Sequence, residues 1–428
     1  MRNNKCFLTM PAEVACAYKF SKYNIYLEAS KGLVYNSVSQ AVSMFENPII
    51  DLKSIPELID SGFIVPVDTD ELSEIRKEYD EREQLSREFH LIIATTLDCQ
   101  FRCFYCYESH SNVYMNEDVK QAIINLVSKQ AMTGKNISIV WYGGEPMLDF
   151  DSVHELTRNF IEACNAYGVN YRASMISNGY LFTQEHIAEL DTLKIQSVQV
   201  TVDGMKEVHE RRRPLSDGGS SFERIIQNMK NIKEKSNAEV HLRINVDKSN
   251  LSSAYELIQY CADIGLNDID VNLGMMKEFG CSHLCGNLNP DLFTMREFSD
   301  AFLKFRDFIE KVGFESAVRK MTPEYKINSC TMDAPNAYVI DPYGWVYKCI
   351  SQAGQIEQNI GNVLTEFDEN AHMIYNPFLL KKCVSCKFFP ICKGGCLLNN
   401  SGRAVECNVW SYITKELILR EISNFYVR

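Results

Sequence analysis

LIIATTLDCQFRCFYCYE, residues 91–108, joins a short apolar run to a loop that carries three cysteines. Leu91 to Thr96 reads as a buried strand, because its apolar and β-branched residues run on until turn chemistry begins. Cys99, Cys103 and Cys106 follow in a CX3CX2C spacing, so three thiols converge at the end of one strand. Five more runs of this kind, ISIVWY, YRASMIS, SVQVTVD, VHLRINV and DIDVNLG, begin at residues 137, 171, 197, 240 and 268. Helical patterns separate the runs near 117–132, 152–167, 183–193, 222–236 and 252–263, and one more follows at 294–312. Strand alternating with helix implies parallel strands joined by right-handed crossovers, and six units predict an α/β fold with a partial, TIM-like (β/α)6 barrel over residues 90–320. In such a fold the chemistry belongs at the C-terminal strand ends.

Upstream, residues 1–67 form a separate block. YNIYLEA and GLVYN, near residues 23–36, flank Ser30-Lys31-Gly32 and predict a hairpin. Val38, Ala41, Val42 and Phe45 recur at i, i+3, i+4 and i+7, the spacing of one helix face. IPELIDSG reads as a short helix stopped by Gly62, and FIVPV as a strand. That order predicts a small winged-helix-like module. Residues 68–89, DTDELSEIRKEYDEREQLSREF, read as a charged, solvated helical connector. Beyond 320 the strand–helix rhythm stops. Cys330, Cys349, Cys383, Cys386, Cys392, Cys396 and Cys407 crowd a loop-rich region at 321–428 that is expected to fold around bound metal.

Length and composition narrow the function. The 428 residues leave room for about three domains, and 46% hydrophobic with 23% charged residues is ordinary globular composition. A net charge of −12 argues against a nucleic-acid partner, since no basic surplus is available to neutralise phosphates. Apolar runs such as Phe63 to Val67 fall far short of the ~20 residues of a membrane span. The first twenty residues lack the apolar core of a secretory signal, so the chain is expected in the cytoplasm and without a membrane partner. Sixteen cysteines in a reducing compartment then point to metal or redox chemistry rather than disulfides.

Three thiolates in one loop suit an iron–sulfur cube with one open iron; zinc with three thiolates and a water is the competing reading. At the end of the second strand WYGGEP, residues 141–146, sets Gly143 and Gly144 for close backbone approach to a ligand, with the Glu145 carboxylate beside them. Taken alone, the same residues describe a tight turn. SNG at Ser177 to Gly179 and TVDG at Thr201 to Gly204 end the next two strands at the same rim.

With the aromatic Tyr105 before its third cysteine, the loop resembles the CX3CXΦC hallmark of radical S-adenosylmethionine (SAM) enzymes. The resemblance implies that Cys99, Cys103 and Cys106 hold a [4Fe-4S] cluster whose fourth iron is chelated by SAM, and that one electron then releases a 5′-deoxyadenosyl radical. It also implies SAM-binding roles for Tyr105, Gly143, Gly144, Glu145, Ser177 and Asn178, and for Arg213 in HERRRP. The C-terminal cysteines match the seven-cysteine pattern CX9-15GX4C, CX2CX5CX3C, C of the SPASM extension, with Gly344 at the glycine position. That likeness implies two auxiliary [4Fe-4S] clusters, three in all. Cys330, Cys349 and Cys396 would hold the first, and Cys383, Cys386, Cys392 and Cys407 the second. The first set lacks a fourth ligand, so its open iron could take a substrate thiolate; Cys281 or Cys285 could also fill the place. Cys164 and Cys261 fall in amphipathic helices and read as buried small hydrophobes, while Cys6 and Cys16 have no assigned role.

SPASM-bearing enzymes mostly modify ribosomally made peptides, so the likeness implies a peptide-modifying oxidoreductase. Residues 1–67 resemble a leader-recognition element that takes an extended precursor peptide by strand addition; a simple barrel cap is the alternative. The expected reaction is thioether formation. A cysteine sulfur on the open iron couples to a carbon radical and needs no dedicated base, and no catalytic residue outside the clusters is assigned. The second auxiliary cluster would pass the electron on, and a flavodoxin or ferredoxin is the expected reductant. Carbon–carbon crosslinking and epimerisation remain alternatives, as does formylglycine formation of the anaerobic sulfatase-maturating type. That last family places an Asp directly after the cysteine equivalent to Cys349, where this chain has Ile350 and Ser351.

Overall fold

The computed structural model describes residues 8–28, 32–45, 50–51, 54–277, 291–400 and 406–427. Six parallel strands form its centre: β6 (Glu88–Ala94), β7 (Asn136–Tyr142), β8 (Tyr171–Ser177), β9 (Ile195–Thr201), β10 (Glu239–Val246) and β11 (Asp270–Met275). They lie side by side in chain order, as expected of six consecutive crossovers. The alternation along β10 shows how the sequence sets the two faces. Val240, Leu242, Ile244 and Val246 are buried among the residues that pack the outer helices, while His241, Arg243 and Asn245 between them stay partly accessible on the other face. The outer helices follow the same logic. Met295–Lys311 starts with a Thr294/Glu297 capping box and buries Phe298, Phe302, Phe305 and Ile309 on one face. Cys164 and Cys261 are buried in their helices, as read.

The sheet runs past the end of the strand–helix rhythm. β12 (Ala337–Ile340) pairs in parallel with β6, and β13 (Val346–Tyr347) turns back antiparallel, extending the sheet to eight strands. Strands of four and two residues are too short to leave a readable period. The C-terminal region is also less loop-rich than expected, because it closes with a helix over Trp410–Val427. Ile413 and Leu417 bury that helix, and Trp410 meets Phe302 edge-on at 6.1 Å.

At the N-terminus, β1 (Tyr18–Phe20) pairs with β5 (Ile64–Pro66), and β2 (Asn24–Glu28), β3 (Leu33–Asn36) and β4 (Val42–Met44) form an antiparallel meander. The hairpin and the short helix, Ile55–Asp60, are present. The helix expected over 38–45 is not: Val42–Met44 is a strand. Asn36 explains the change, because its Oδ1 accepts from the backbone N–H groups of Val38 (2.9 Å) and Ser39 (3.1 Å) and so competes with helical bonding. Gln40 then turns left-handed at φ 62° and reverses the chain.

The connector helix, Glu71–Leu85, is N-capped by Asp70 but is not simply solvated. Ile75 and Tyr79 are buried with Phe378 and Phe389 of the cysteine-rich region, and the Tyr79 and Phe378 rings lie 5.0 Å apart. Arg82 stacks on Tyr79 and donates from Nε and Nη2 to the Asp333 carbonyl at 3.2 and 3.0 Å. On the neighbouring side Ile25, Leu27, Leu33 and Tyr35 pack against Phe388 and Ile418. The first module thus rests directly on the cysteine-rich region. Among the described residues no helix is long and apolar enough to cross a membrane.

Tyr79→Ala empties this aromatic junction and is expected to cost roughly 3–5 kcal/mol, read as a lower urea midpoint and faster proteolytic cleavage near the connector.

Candidate functional site

The cysteine loop leaves β6 through the buried pair Thr95 and Thr96. Thr96 Oγ1 donates to the Val113 carbonyl (2.8 Å) and accepts from Asp98 N–H (3.0 Å), while Asp98 Oδ1 accepts from Cys99 N–H (2.8 Å). From the other side Arg102 N–H donates to the Pro214 carbonyl (2.8 Å) and Phe104 N–H to that of Arg212 (3.2 Å). The loop is therefore clamped between its own strand and residues 212–216. Burial holds its thiols protonated: Cys99 is pushed up to about 12 and Cys106 further. Burial raises Cys103 too, against the pull of the Arg213 guanidinium. The negative charge of Cys103 adds to the rise at both Cys99 and Cys106, so the three sulfurs share one neighbourhood. Such thiols give up their protons to a bound cation rather than to water.

Among the described residues no three cysteine sulfurs lie within 4.8 Å of one another. Four sulfurs on one tetrahedral zinc, at Zn–S of ~2.3 Å, would be only about 3.8 Å apart. Sulfurs placed so are spread wider than one tetrahedral zinc would hold them.

Glu145 is fully buried at the end of β7. Its Oε1 accepts from Ser177 Oγ (2.7 Å) and Met147 N–H (3.0 Å), and its Oε2 from Asn178 N–H (2.7 Å). Burial raises this carboxyl to about 7 in spite of those bonds. Gly143 and Gly144 pack against the cysteine loop. Gly143 sits at φ +124°, where a side chain would meet the Thr96 carbonyl at 2.3 Å, and a Cβ on Gly144 would lie 2.1 Å from that of Asp98. Gly144 and Glu145 N–H donate to those same two carbonyls at 3.1 and 2.9 Å. The close approach is thus to the cysteine loop itself. Asn178 completes the corner, with its Oδ1 accepting from Gln100 Nε2 (3.2 Å) and its Nδ2 3.9 Å from Cys99 Sγ.

Tyr105 points to the ends of β9 and β10. Its hydroxyl donates to Asp203 Oδ2 (2.5 Å) and accepts from Arg213 Nη1 (2.6 Å) and Asn245 Nδ2 (3.2 Å). HERRRP, residues 209–214, spans the end of the helix Lys206–Arg212, with Arg212 and Arg213 buried. Arg212 pairs with Asp247 at 2.9 Å, and the buried Arg213 Nε has no hydrogen-bond partner among the described residues. His209, beside Asp203 N–H, is pushed down to about 3 by burial and then by Arg213, so it stays neutral.

The seven cysteines of the C-terminal region gather in two groups. Cys330 feels the charges of Cys349 and Cys396, and burial lifts it to about 12. Hydrogen bonds tie the three segments together: Ser329 Oγ donates to the Gly395 carbonyl (2.6 Å) and Thr331 Oγ1 to that of Lys348 (3.1 Å). Asp333, which Arg82 reaches from the connector, accepts from the N–H groups of Ser329 and Cys330. Cys383 feels Cys392, Cys386 and Cys407 in turn, and burial lifts it to about 11. Cys6, Cys281 and Cys285 lie outside the described residues.

At the opposite strand ends Glu239, His241 and Asp270 come together, but Lys320 pairs with both carboxylates and already supplies the cation. Asp203, Asn245, Arg212 and Asp333 escaped the sequence reading. Only the position of Asp203 in TVDG, after a strand, hinted at any of them.

Residues 93–261 match the family model of the Radical SAM superfamily, a domain type that implies a [4Fe-4S] cluster and SAM. The fit is good on this chain's own terms: three converging thiols, one buried and two half-buried, a glycine cradle holding their loop, and a buried guanidinium with an unpartnered Nε. A cysteine-type anaerobic sulfatase-maturating enzyme from Clostridium novyi (strain NT) is 24% identical over 366 residues, 78% of this chain and 95% of that one. The fold resembles native anSMEcpe with bound AdoMet and Cp18Cys peptide, at TM-score 0.60 and 18% identity over 79% of this chain and 99% of that one. It also resembles Streptococcus suis SuiB bound to precursor peptide SuiA, at TM-score 0.53 and 15% identity over 91% and 98%.

Gly144→Ala drives a methyl into the Asp98 carbonyl and is expected to remove about four of the irons bound per chain, with the C-terminal share retained, by iron analysis of anaerobically reconstituted protein. The folded value of His209 lies below its ordinary 6.5, so stability present above pH 6.5 is lost as pH falls toward 3. In His209→Gln that slope disappears; between pH 7 and pH 5 the wild type is expected to lose about 2 kcal/mol relative to the variant, by urea unfolding.

Proposed function

We propose that this protein is a radical SAM peptide maturase that joins a cysteine sulfur to a carbon within a ribosomally made precursor peptide. The observation that carries the reading is the partition of ten cysteines into three neighbourhoods, two of three sulfurs and one of four. Cys99, Cys103 and Cys106 would hold the cluster that works with SAM; Cys330, Cys349 and Cys396, and Cys383, Cys386, Cys392 and Cys407, would hold two auxiliary clusters. Together with SAM, the first cluster supplies a 5′-deoxyadenosyl radical.

The chain's own residues prepare the place. Gly143 and Gly144 fix the cysteine loop, and Glu145 orients Ser177 and Asn178 beside it. The unpartnered Arg213 Nε offers a cation to the SAM carboxylate, while Asp203 and Asn245 hold Tyr105 and keep Arg213 aimed. Among the described residues the three-sulfur set in the C-terminal region has one donor fewer than a cube takes, which leaves a place for a substrate thiol, or for Cys281 or Cys285. Joining sulfur to carbon would pass the carbon's hydrogen atom to the 5′-deoxyadenosyl radical and the thiol's proton to solvent, with the remaining electron leaving through the auxiliary clusters. At the N-terminus β4 lies at the edge of its sheet with Val42 and Met44 exposed, a surface suited to strand addition by a leader peptide. The peptide-bound SuiB likeness supports such a partner. A flavodoxin or ferredoxin fits the need for a low-potential electron.

Formylglycine formation is the second reading, favoured by the relative from Clostridium novyi. Ile350 after Cys349 weighs against it.

Anaerobic incubation with SAM, a reductant and a short cysteine-bearing precursor peptide is expected to yield a product lighter by two hydrogens per bond, with the cysteine no longer alkylatable, by mass spectrometry. The same mass loss with a free thiol makes the product a carbon–carbon crosslink. Deuterium uptake from heavy water at an α-carbon indicates epimerisation, and an aldehyde at cysteine indicates formylglycine.

A further inference from the structure

We propose that the lysine-rich face around Cys383 and Cys386 is the docking surface for an acidic one-electron carrier protein. The proposal rests on the reading that these cysteines, with Cys392 and Cys407, hold a cluster.

Charge distribution is the first ground. The chain has 56 acidic and 44 basic residues, yet the stretch from Asn376 to Asn400 contains no Asp or Glu, while it carries Lys381, Lys382 and Lys387 outside the core, with Lys393 buried. Placement is the second. Lys381 and Lys382 are exposed on the short helix Lys381–Val384 that also bears Cys383. Lys382 acts on both Cys383 and Cys386, Lys387 acts on Cys386, and Lys415 reaches Lys387 from the C-terminal helix. Lys382 and Lys387 thus flank the sulfurs, with Lys415 beyond Lys387.

The third ground is shape and polarity. Met373, Ile374 and Leu379, just before the lysines, are 60%, 69% and 68% exposed. A small apolar patch beside a cationic rim is the make-up of a brief electron-transfer encounter, in which charge steers the approach and little area is buried. Cys383 and Cys386 are themselves only half-buried, so the sulfurs come close to the surface that the lysines mark. An anionic membrane would also answer to lysines, but it has no use for sulfur ligands beneath them. One electron crosses per encounter: the carrier is oxidised by one, the cysteine-held centre is reduced by one, and no bond is made or broken.

Reduced flavodoxin, an acidic flavoprotein, serves as the probe with the full-length, cluster-loaded enzyme. Carbodiimide crosslinking followed by peptide mapping is expected to join flavodoxin carboxylates to Lys381, Lys382 or Lys387. Lys381→Glu with Lys382→Glu is expected to slow electron transfer from flavodoxin about tenfold at low salt, with the difference closing at high salt. Reduction by dithionite should be unchanged, and Lys381→Arg with Lys382→Arg should keep the wild-type rate. Crosslinks that map elsewhere, or a charge-reversed variant as fast as wild type, overturn the docking site. So does lysine-dependent binding to phosphatidylserine vesicles with an unaltered flavodoxin rate. Iron lacking from the Cys383 group before flavodoxin is added overturns the underlying cluster reading instead, and the docking surface with it.

Discussion

Backbone against backbone, with no room for a side chain, is the constraint on which the site depends. Gly143 and Gly144 lie so near the Thr96 and Asp98 carbonyls that a methyl group could not stand between them. Two N–H donors from the end of β7 then fix the loop that carries Cys99, Cys103 and Cys106. Because the same turn places Glu145, and Glu145 gathers Ser177 and Asn178, one contact aligns the ends of three neighbouring strands. The glycines work on the protein's own cysteine loop, and that loop then presents its sulfurs at a fixed spacing.

A second constraint ties the ends of the chain together. The connector helix rests on Phe378 through Tyr79, and its Arg82 holds the carbonyl of Asp333, whose carboxylate takes the N–H of Cys330. The N-terminal sheet leans on Phe388, two residues beyond Cys386. In the proposed reading, a peptide held at the first module would lie on an element that packs directly against the cysteine-rich region.

What the sequence reveals follows from how local each signal is. Six strands and their helices are legible because hydrophobic periodicity is written within ten to twenty residues. The cysteine groups are legible because their spacings are short and cysteine is scarce. The Tyr105, Asp203 and Asn245 network is not, since its members are 98 and 140 residues apart along the chain. Arg82 and Asp333 stand 251 residues apart. The segment after Asn36 misleads for the opposite reason, because its apolar spacing imitates a helix while one side-chain oxygen turns the backbone. Arg212 and Arg213 look like solvated charge in sequence and are buried in the fold.

The central claim is that ten sulfur donors organise three iron cubes. Its most direct measurement is iron and acid-labile sulfide per chain after oxygen-free reconstitution, in the wild type and with Cys99, Cys103 and Cys106 all replaced by alanine. The account predicts about twelve of each in the wild type and about eight in the variant. Two or three zinc ions per chain in place of iron, or an iron content unmoved by the triple replacement, would contradict it.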